Sequence, residues 1–339
     1  MIGRGERGVA DDPNVFDWPA LVSARSSRRG LLEGATPFVL RSHVTHMRAL
    51  VVGATGFVGR RLVRAVHDRG HEVRAFSRSA SEVAFPDGVE PFEGDMGDPG
   101  SLNGLCADVD VAYYLLHSLT ADDFAARDRR YAERFRDMAT AAGVDRVVYL
   151  SGISGDETDL SPHLASRREV ETVLADGAFD LTVLRAAVII GPESASFRIV
   201  DDLTDRLPVM VVPKWVRTPC QPIGIDDAVT YLVELLDAGE TRGETYDIGA
   251  PSVWSYETLL RETAEIKARR LVILPVPVMT PGISSHWLRF TTDVQYAIAR
   301  PLAESMRNPV TVDSKRDLQN VIPIDRTEIP DAIRQALAA

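Results

Sequence analysis

From Met47 onward, apolar stretches of strand length alternate with segments whose apolar positions recur every three or four residues. This is the pattern of an α/β sheet whose strands are joined by crossover helices. It predicts strands over Ala49–Val52, Glu72–Phe76, Val89–Phe92, Val109–Leu115, Arg146–Leu150 and Leu181–Ile190, with helices over Val58–Arg69, Ala121–Ala142 and Pro162–Ala175. After about residue 192 the alternation loosens into a Pro-rich, mixed segment, which predicts a smaller lobe. Residues 1–46 show no sustained period and no continuous apolar segment of the signal-peptide kind. They read as an N-terminal extension, either a disordered arm or translation upstream of a true start at Met47. The expected organisation is therefore an extension over 1–46, a nucleotide-binding domain over 47–191 and a substrate lobe over 192–339, with late elements returning to the first sheet.

Composition narrows the partners. The formal net charge is −11, so the chain has no cationic excess with which to displace counterions from nucleic acid. Its two cysteines, Cys106 and Cys220, are far apart and support neither a disulfide framework nor a metal centre, and they suit a reducing, cytoplasmic location. The most apolar run, Leu271–Ile283, is too short to span a bilayer and carries three prolines. Contact with a membrane surface stays open.

The strongest chemical signal is RALVVGATGFVGRRLVRAVHDRG, with Gly53, Gly56 and Gly59 placed between a buried strand and an amphipathic helix. Such a turn needs residues free of a Cβ, lets backbone N–H groups approach a pyrophosphate, and ends on the positive pole of a helix. It predicts dinucleotide binding. The second strand ends in Ser77, Arg78 and Ser79, where a ribose-binding carboxylate would favour NAD. Guanidinium and hydroxyl groups suit a 2′-phosphate instead, so NADP(H) is favoured and NAD(H) stays open. Asp95, just past the third strand, is placed to turn the chain into the helix near Pro99 and to meet the adenine amino group. The expected cofactor contacts are Gly53, Thr55, Gly56, Phe57, Val58, Gly59, Ser77, Arg78, Asp95, Met96, Leu115 and His117.

GATGFVG, GDMGDPGSL, DVAYYLLHSL and VDRVVYLSGIS together resemble the extended and atypical short-chain dehydrogenase/reductases, close to the NmrA-like group. YYLLHSL, LSPHLASRREVE and LRAAVIIGPESASF look more narrowly like bacterial and archaeal proteins labelled nucleoside-diphosphate-sugar epimerase or NADH-dehydrogenase-accessory-like. The resemblance runs from Met47 to near Ala339. It implies a doubly wound parallel Rossmann sheet, a cofactor lying across the strand ends and a substrate lobe in the C-terminal half. It also implies a Ser or Thr after the fifth strand and a Tyr–Lys pair at Y-x-x-x-K. The chain departs there, because its lysines are Lys214, Lys267 and Lys315 and none follows a tyrosine by four residues.

At the expected place stands His163-Leu-Ala-Ser-Arg167, on a helix begun by Ser161 and Pro162. His163, Arg167, Val170 and Leu174 share one helical stripe, so the pair is expected to face the cofactor crevice. A histidine can exchange a proton near neutral pH; an arginine can grip ribose or phosphate oxygens but cannot share a proton. Ser151 and Ser154 occupy the region of the family's catalytic hydroxyl, which makes the catalytic candidates His163, Arg167, Ser151 and Ser154. Tyr113, Tyr114 and His117 follow the fourth strand toward the nicotinamide pocket, and Tyr114, Ser194 and Phe197 are the substrate-side candidates. Trp215, Trp254, Trp287 and the apolar Leu271–Leu288 stretch suit a small apolar substrate. The leading expectation is an NADP(H)-dependent oxidoreductase or epimerase-like enzyme. The alternative is a non-catalytic dinucleotide-binding sensor or a respiratory-complex assembly factor.

Overall fold

Parallel strands and the helices between them follow one another in β1 (Arg48–Val52), α1 (Phe57–Asp68), β2 (Glu72–Ser77), β3 (Glu90–Glu93), β4 (Val111–Tyr114), α2 (Phe124–Ala142), β5 (Arg146–Gly152), α3 (Pro162–Ala175) and β6 (Asp180–Ala186). The chain continues through β7 (Ile189–Ile190), α4 (Ala195–Arg206), β8 (Val209–Pro213), β9 (Pro219–Cys220), β10 (Ile223–Gly224), α5 (Ile225–Glu234) and β11 (Thr245–Ile248). It ends with β12 (Trp254–Ser255), α6 (Tyr256–Ile266), β13 (Val272–Val276), α7 (Tyr296–Ser305) and α8 (Ile329–Ala338). The computed structural model describes residues 46–118, 123–155, 160–276 and 292–338, without the side chains at 213–215, 275, 296, 297, 300 and 303. The N-terminal extension, Trp287 and the side chain of Trp215 lie outside the described residues.

Seven strands form one sheet in the order β3-β2-β1-β4-β5-β6-β11, and every pairing in it is parallel. The chain winds outward from β1 to β3, then returns to the other side of β1 at β4. That reversal leaves a crevice at the carboxyl ends of β1 and β4, where doubly wound sheets bind ligands. Because helices cover both faces, side chains alternate between two cores. Ala49, Val51 and Tyr113 pack with Leu62 and Val66 of α1 and with Ala228 and Leu232 of α5. Leu50, Val52 and Tyr114 pack on the other face with Phe135 of α2 and Val170 and Leu174 of α3.

The single strand expected over Leu181–Ile190 is two. β6 stays in the main sheet, whereas β7 pairs with β10 in the lobe. The lobe has its own core, in which Phe197 and Val200 of α4, Leu259 of α6, Ile273 of β13 and Ile333 of α8 are buried. α5 and β11 return to the main sheet, β11 as its edge strand beside β6. Among the described residues no helix is long and apolar enough to cross a membrane.

Candidate functional site

A cleft of about 590 Å³ runs over the carboxyl ends of β1, β2, β4, β5 and β6. At its centre is the glycine turn. Gly53 has φ +95°, a left-handed conformation that a side chain would strain. Its N–H and that of Ala54 both donate to the carbonyl of Phe76, each at 3.0 Å, which ties the turn to the end of β2. A Cβ at Gly59 would lie 2.2 Å from the Gly53 carbonyl oxygen. Gly56 caps α1 without a side-chain hydrogen bond, and no acidic residue stands in the first turn. The helix therefore presents its N-terminal N–H groups to the cleft with nothing of its own to neutralise them, and this cradle fits a pyrophosphate.

All twelve expected cofactor residues line the cleft. Ser77 is buried and its hydroxyl accepts from the Ser79 N–H at 3.2 Å, which shapes the turn after β2. Arg78 is exposed beside it. Asp95 accepts from Gly97 N–H at 2.7 Å through its own carboxylate. The cap expected of Asp95 is supplied by Asp98, whose side chain accepts from Gly100 N–H at the start of the 3-10 turn Pro99–Leu102. Arg127 and Tyr131 of α2 complete this end of the cleft. They were missed because their spacing of four places them next to the buried Asp128 and Ala132, where they read as the flank of a packing stripe.

At the inner end the cleft meets Leu115, His117 and Ser118 after β4, Ser151 at the end of β5, and His163 and Arg167 on α3. The stripe on α3 is as expected: Val170 and Leu174 anchor it in the core, and Arg167, only 8% exposed, is drawn in beneath them. One Nη of Arg167 donates to the Leu150 carbonyl, and its guanidinium lies over the Tyr149 ring, 5.2 Å from the centroid. The other, Nη1, is buried without a hydrogen-bond partner, and so is the Ser151 hydroxyl. Among the described residues no carboxylate forms an ion pair with Arg167. A buried cation left without a full set of partners is costly unless a ligand supplies them.

Tyr113, Tyr114, Ser154 and Phe197 do not line the cleft. Tyr114 is 1% exposed and packs against Phe135 and Tyr149 at ring-centroid distances of 4.9 and 5.9 Å. Tyr113 points to the opposite face, where its hydroxyl donates to the Leu232 carbonyl at 2.9 Å. Strand side chains stand perpendicular to a sheet covered on both sides, and at β4 the crevice is lined by residues past the strand end, Leu115 to Ser118. Ser154 is buried and accepts from Arg168 at 3.2 Å, and Phe197 is buried in the lobe core. Ser194 does line the cleft, caps α4 by accepting from Phe197 N–H, and donates to the Ile189 carbonyl at 2.7 Å. Trp254 packs on the lobe core instead of the cleft. The apolar wall is made by Ala187, Ile189, Ile298 and Leu302, from two segments far apart in sequence.

The rings of His117 and His163 meet edge to face with centroids 6.3 Å apart. Enclosure between the cleft walls and then repulsion from the Arg167 guanidinium push His163 well below its ordinary range; the same two causes bring His117 down to about 4. His117 is itself open to the cleft, so solvent moderates its shift until a ligand fills the space. Burial pushes the Tyr149 phenol up to about 12, against the opposing charge of Arg167. Burial also raises Asp128, which accepts a long 3.5 Å hydrogen bond from Ser166.

A histidine whose folded pKa lies below its unfolded value of about 6.5 binds more protons when unfolded. Its contribution to stability is full above that value and is lost as pH falls from about 6.5 toward the folded pKa. The drop in unfolding midpoint between about pH 7 and pH 5 is therefore expected to shrink in His163→Phe. Identical slopes for the two proteins would show that the imidazole titrates as it does in the unfolded chain.

A family model described as NAD(P)H-binding matches residues 53–210. Mitochondrial NADH dehydrogenase [ubiquinone] 1 alpha subcomplex subunit 9 of Arabidopsis thaliana is 25% identical over 252 residues, covering 70% of this chain and 63% of that protein. The chain thus spans less than two thirds of that relative. Ceramide reductase of Caulobacter vibrioides is 27% identical over 248 residues, 68% of this chain and 75% of that protein. Among solved structures, an NADPH-dependent quinone oxidoreductase of Escherichia coli complexed with NADPH superposes with a TM-score of 0.68 at 19% identity, over 86% of this chain and all of the other. That likeness concerns the fold.

Proposed function

We propose, from the match of residues 53–210 to an NAD(P)H-binding family model, that the chain is an atypical, NmrA-like short-chain dehydrogenase/reductase, and within that group an NADP(H)-dependent oxidoreductase acting on a small apolar substrate. One observation carries the reading. Ser151 Oγ and Arg167 Nη1 are both buried, both without a partner, and both belong to residues lining the inner end of the dinucleotide cleft. In this reading the glycine turn and the N-terminus of α1 hold the pyrophosphate, Arg78 meets the 2′-phosphate, and Arg167 grips ribose or a neighbouring oxygen. When bound, the nicotinamide supplies or accepts a hydride.

The remaining work falls to the chain. Ser151 and His163 are placed to hold the reacting oxygen. With its pKa depressed, His163 is a neutral imidazole at pH 7, ready to accept the proton of an alcohol or to donate its N–H to a carbonyl oxygen. Delivery of a full proton to an alkoxide requires the imidazolium, which the Arg167 charge opposes. Reduction should therefore quicken toward acid pH. Arg167 itself stays cationic and serves as a fixed charge. Ala187, Ile189, Ile298 and Leu302 favour an apolar substrate, in keeping with the names of the ceramide and quinone reductases to which the chain is similar.

The second reading, a dinucleotide-binding protein without turnover, is favoured by the missing Tyr–Lys pair and by the similarity to a respiratory-complex subunit. Turnover with a panel of quinones and apolar ketones separates the two. Cofactor choice is tested by Arg78→Ala, in which loss of a charge-assisted contact, about 1.5 kcal/mol, should weaken NADPH roughly tenfold and leave NADH unchanged. Equal losses for both nucleotides would remove Arg78 from the 2′-phosphate.

A further inference from the structure

The turn Gly191–Ser194 closes against the glycine turn from the lobe side. A Cβ at Gly191 would lie 2.9 Å from the Phe57 ring, so lobe and helix α1 are in contact there. Glu193 lines the cleft on this turn. Its carboxylate pairs with Arg60 in the first turn of α1 and lies 3.6 Å from Arg61. Arg61 is in turn held by the Phe57 carbonyl at 2.8 Å and stacks on the Phe57 ring. The backbone of Glu193 adopts φ +71°, a left-handed conformation that costs a non-glycine residue about 1 kcal/mol or more. The cleft is thus bridged by an acidic side chain, presented on an unfavourable backbone, next to a helix N-terminus suited to an anion.

We propose that Glu193 is an electrostatic latch over the pyrophosphate position, and that Arg60 exchanges the Glu193 carboxylate for the dinucleotide pyrophosphate when the cofactor enters. The latch rests on the dinucleotide reading above. Without ligand, the carboxylate satisfies the arginine and ties the lobe to α1 across the mouth of the cleft. With ligand, two anions compete for one site of positive potential. The carboxylate must then swing out, and the bridge between lobe and nucleotide turn opens. Because both members of the pair are substantially solvent-exposed, the latch is weak and reversible. It tunes affinity and does not block entry.

The exchange makes a prediction that a merely structural ion pair does not. Glu193→Gln keeps the side-chain size and the backbone strain but removes the charge. In a fluorescence titration at about 0.15 M salt it should tighten NADPH roughly three- to tenfold. Arg60→Ala should change NADPH affinity little in the unaltered chain, where Arg60 is partly occupied by Glu193. In the Glu193→Gln background, where Arg60 is free for the pyrophosphate, the same substitution should weaken binding several-fold. Unfolding midpoints of all three variants establish that they fold. Unchanged or weaker NADPH binding in Glu193→Gln, or an equal Arg60→Ala effect in both backgrounds, overturns the latch and leaves the dinucleotide site standing. If the unaltered chain binds neither NADPH nor NADH, the dinucleotide reading falls and the latch with it.

Discussion

Gly59→Ala is expected to abolish useful dinucleotide binding, weakening NADPH by well over a hundredfold. The added methyl would sit 2.2 Å from the Gly53 carbonyl oxygen and 3.0 Å from Ala54 Cα. Both are backbone atoms, so no side chain can swing aside to relieve the overlap. Either α1 withdraws from the strand end or the turn opens, and each movement carries the N-terminal N–H groups away from the position a pyrophosphate needs. Overpacking of a well-packed site costs about 1–3 kcal/mol and more where the backbone must shift, so the unfolding midpoint should fall as well. Gly56→Ala provides the scale. Its φ of −73° is ordinary, and its Cβ would lie 3.2 Å from the same oxygen, which calls for a shift of a few tenths of an ångström. Affinity for NADPH, measured by titration, should fall much less there. Binding by Gly59→Ala within tenfold of the unaltered chain would show that the turn does not carry the pyrophosphate.

The second large effect is expected at His163. His163→Phe preserves an aromatic ring beside His117 and keeps the half-buried position filled, so dinucleotide affinity should stay within about twofold. Turnover should drop by about a hundredfold or more, the usual scale for a lost general acid or base. The residual activity should also lose its dependence on pH below about 6.5, because the group that titrates there is gone. Arg167→Ala should act in the opposite sense. It removes the buried cation whose Nη1 is unpaired and should raise the cofactor dissociation constant. Undiminished turnover in His163→Phe with a substrate that the unaltered chain converts would move the proton-handling role to Ser151.

These two positions differ in how they could be read from the chain. The glycine turn is a largely local device: the strand before it, the three glycines and the helix after it lie within 23 consecutive residues, the limiting Cβ contacts fall inside that stretch, and the Phe76 carbonyl of β2 reaches in to fix the turn. The same holds for α3, where Ser161 accepts from Leu164 N–H, Pro162 occupies the first turn, and a four-residue spacing puts His163 and Arg167 on one stripe. The expected helix Pro162–Ala175 is the observed one.

Tyr114, Ser154 and Phe197 show where such reading stops. Each stands close in sequence to a residue that does line the cleft, and one step along a strand or two along a helix turns a side chain to another face. VAYY carries no polar alternation to say which tyrosine faces where, because both faces of the sheet are covered. The break between β6 and β7 was hidden for a similar reason, since the residues on either side of it are apolar while their strand partners, β11 and β10, arrive from far along the chain.

The parallel sheet, the glycine turn and the sharing of one helical stripe by His163 and Arg167 were legible along the chain, because each depends on backbone constraints and periodicities spanning a few turns or one strand. Folding brings about the burial of Arg167 with an unpaired nitrogen, the place of Ser151 and not Ser154 in the cleft lining, the wall made by Ile298 and Leu302, and the reach of Glu193 to Arg60. The Glu193–Arg60 pair joins residues 133 positions apart, and Leu302 shares the cleft with Gly53. They are set by how the lobe packs against the strand ends, where burial and long-range charge are established only after the chain has folded.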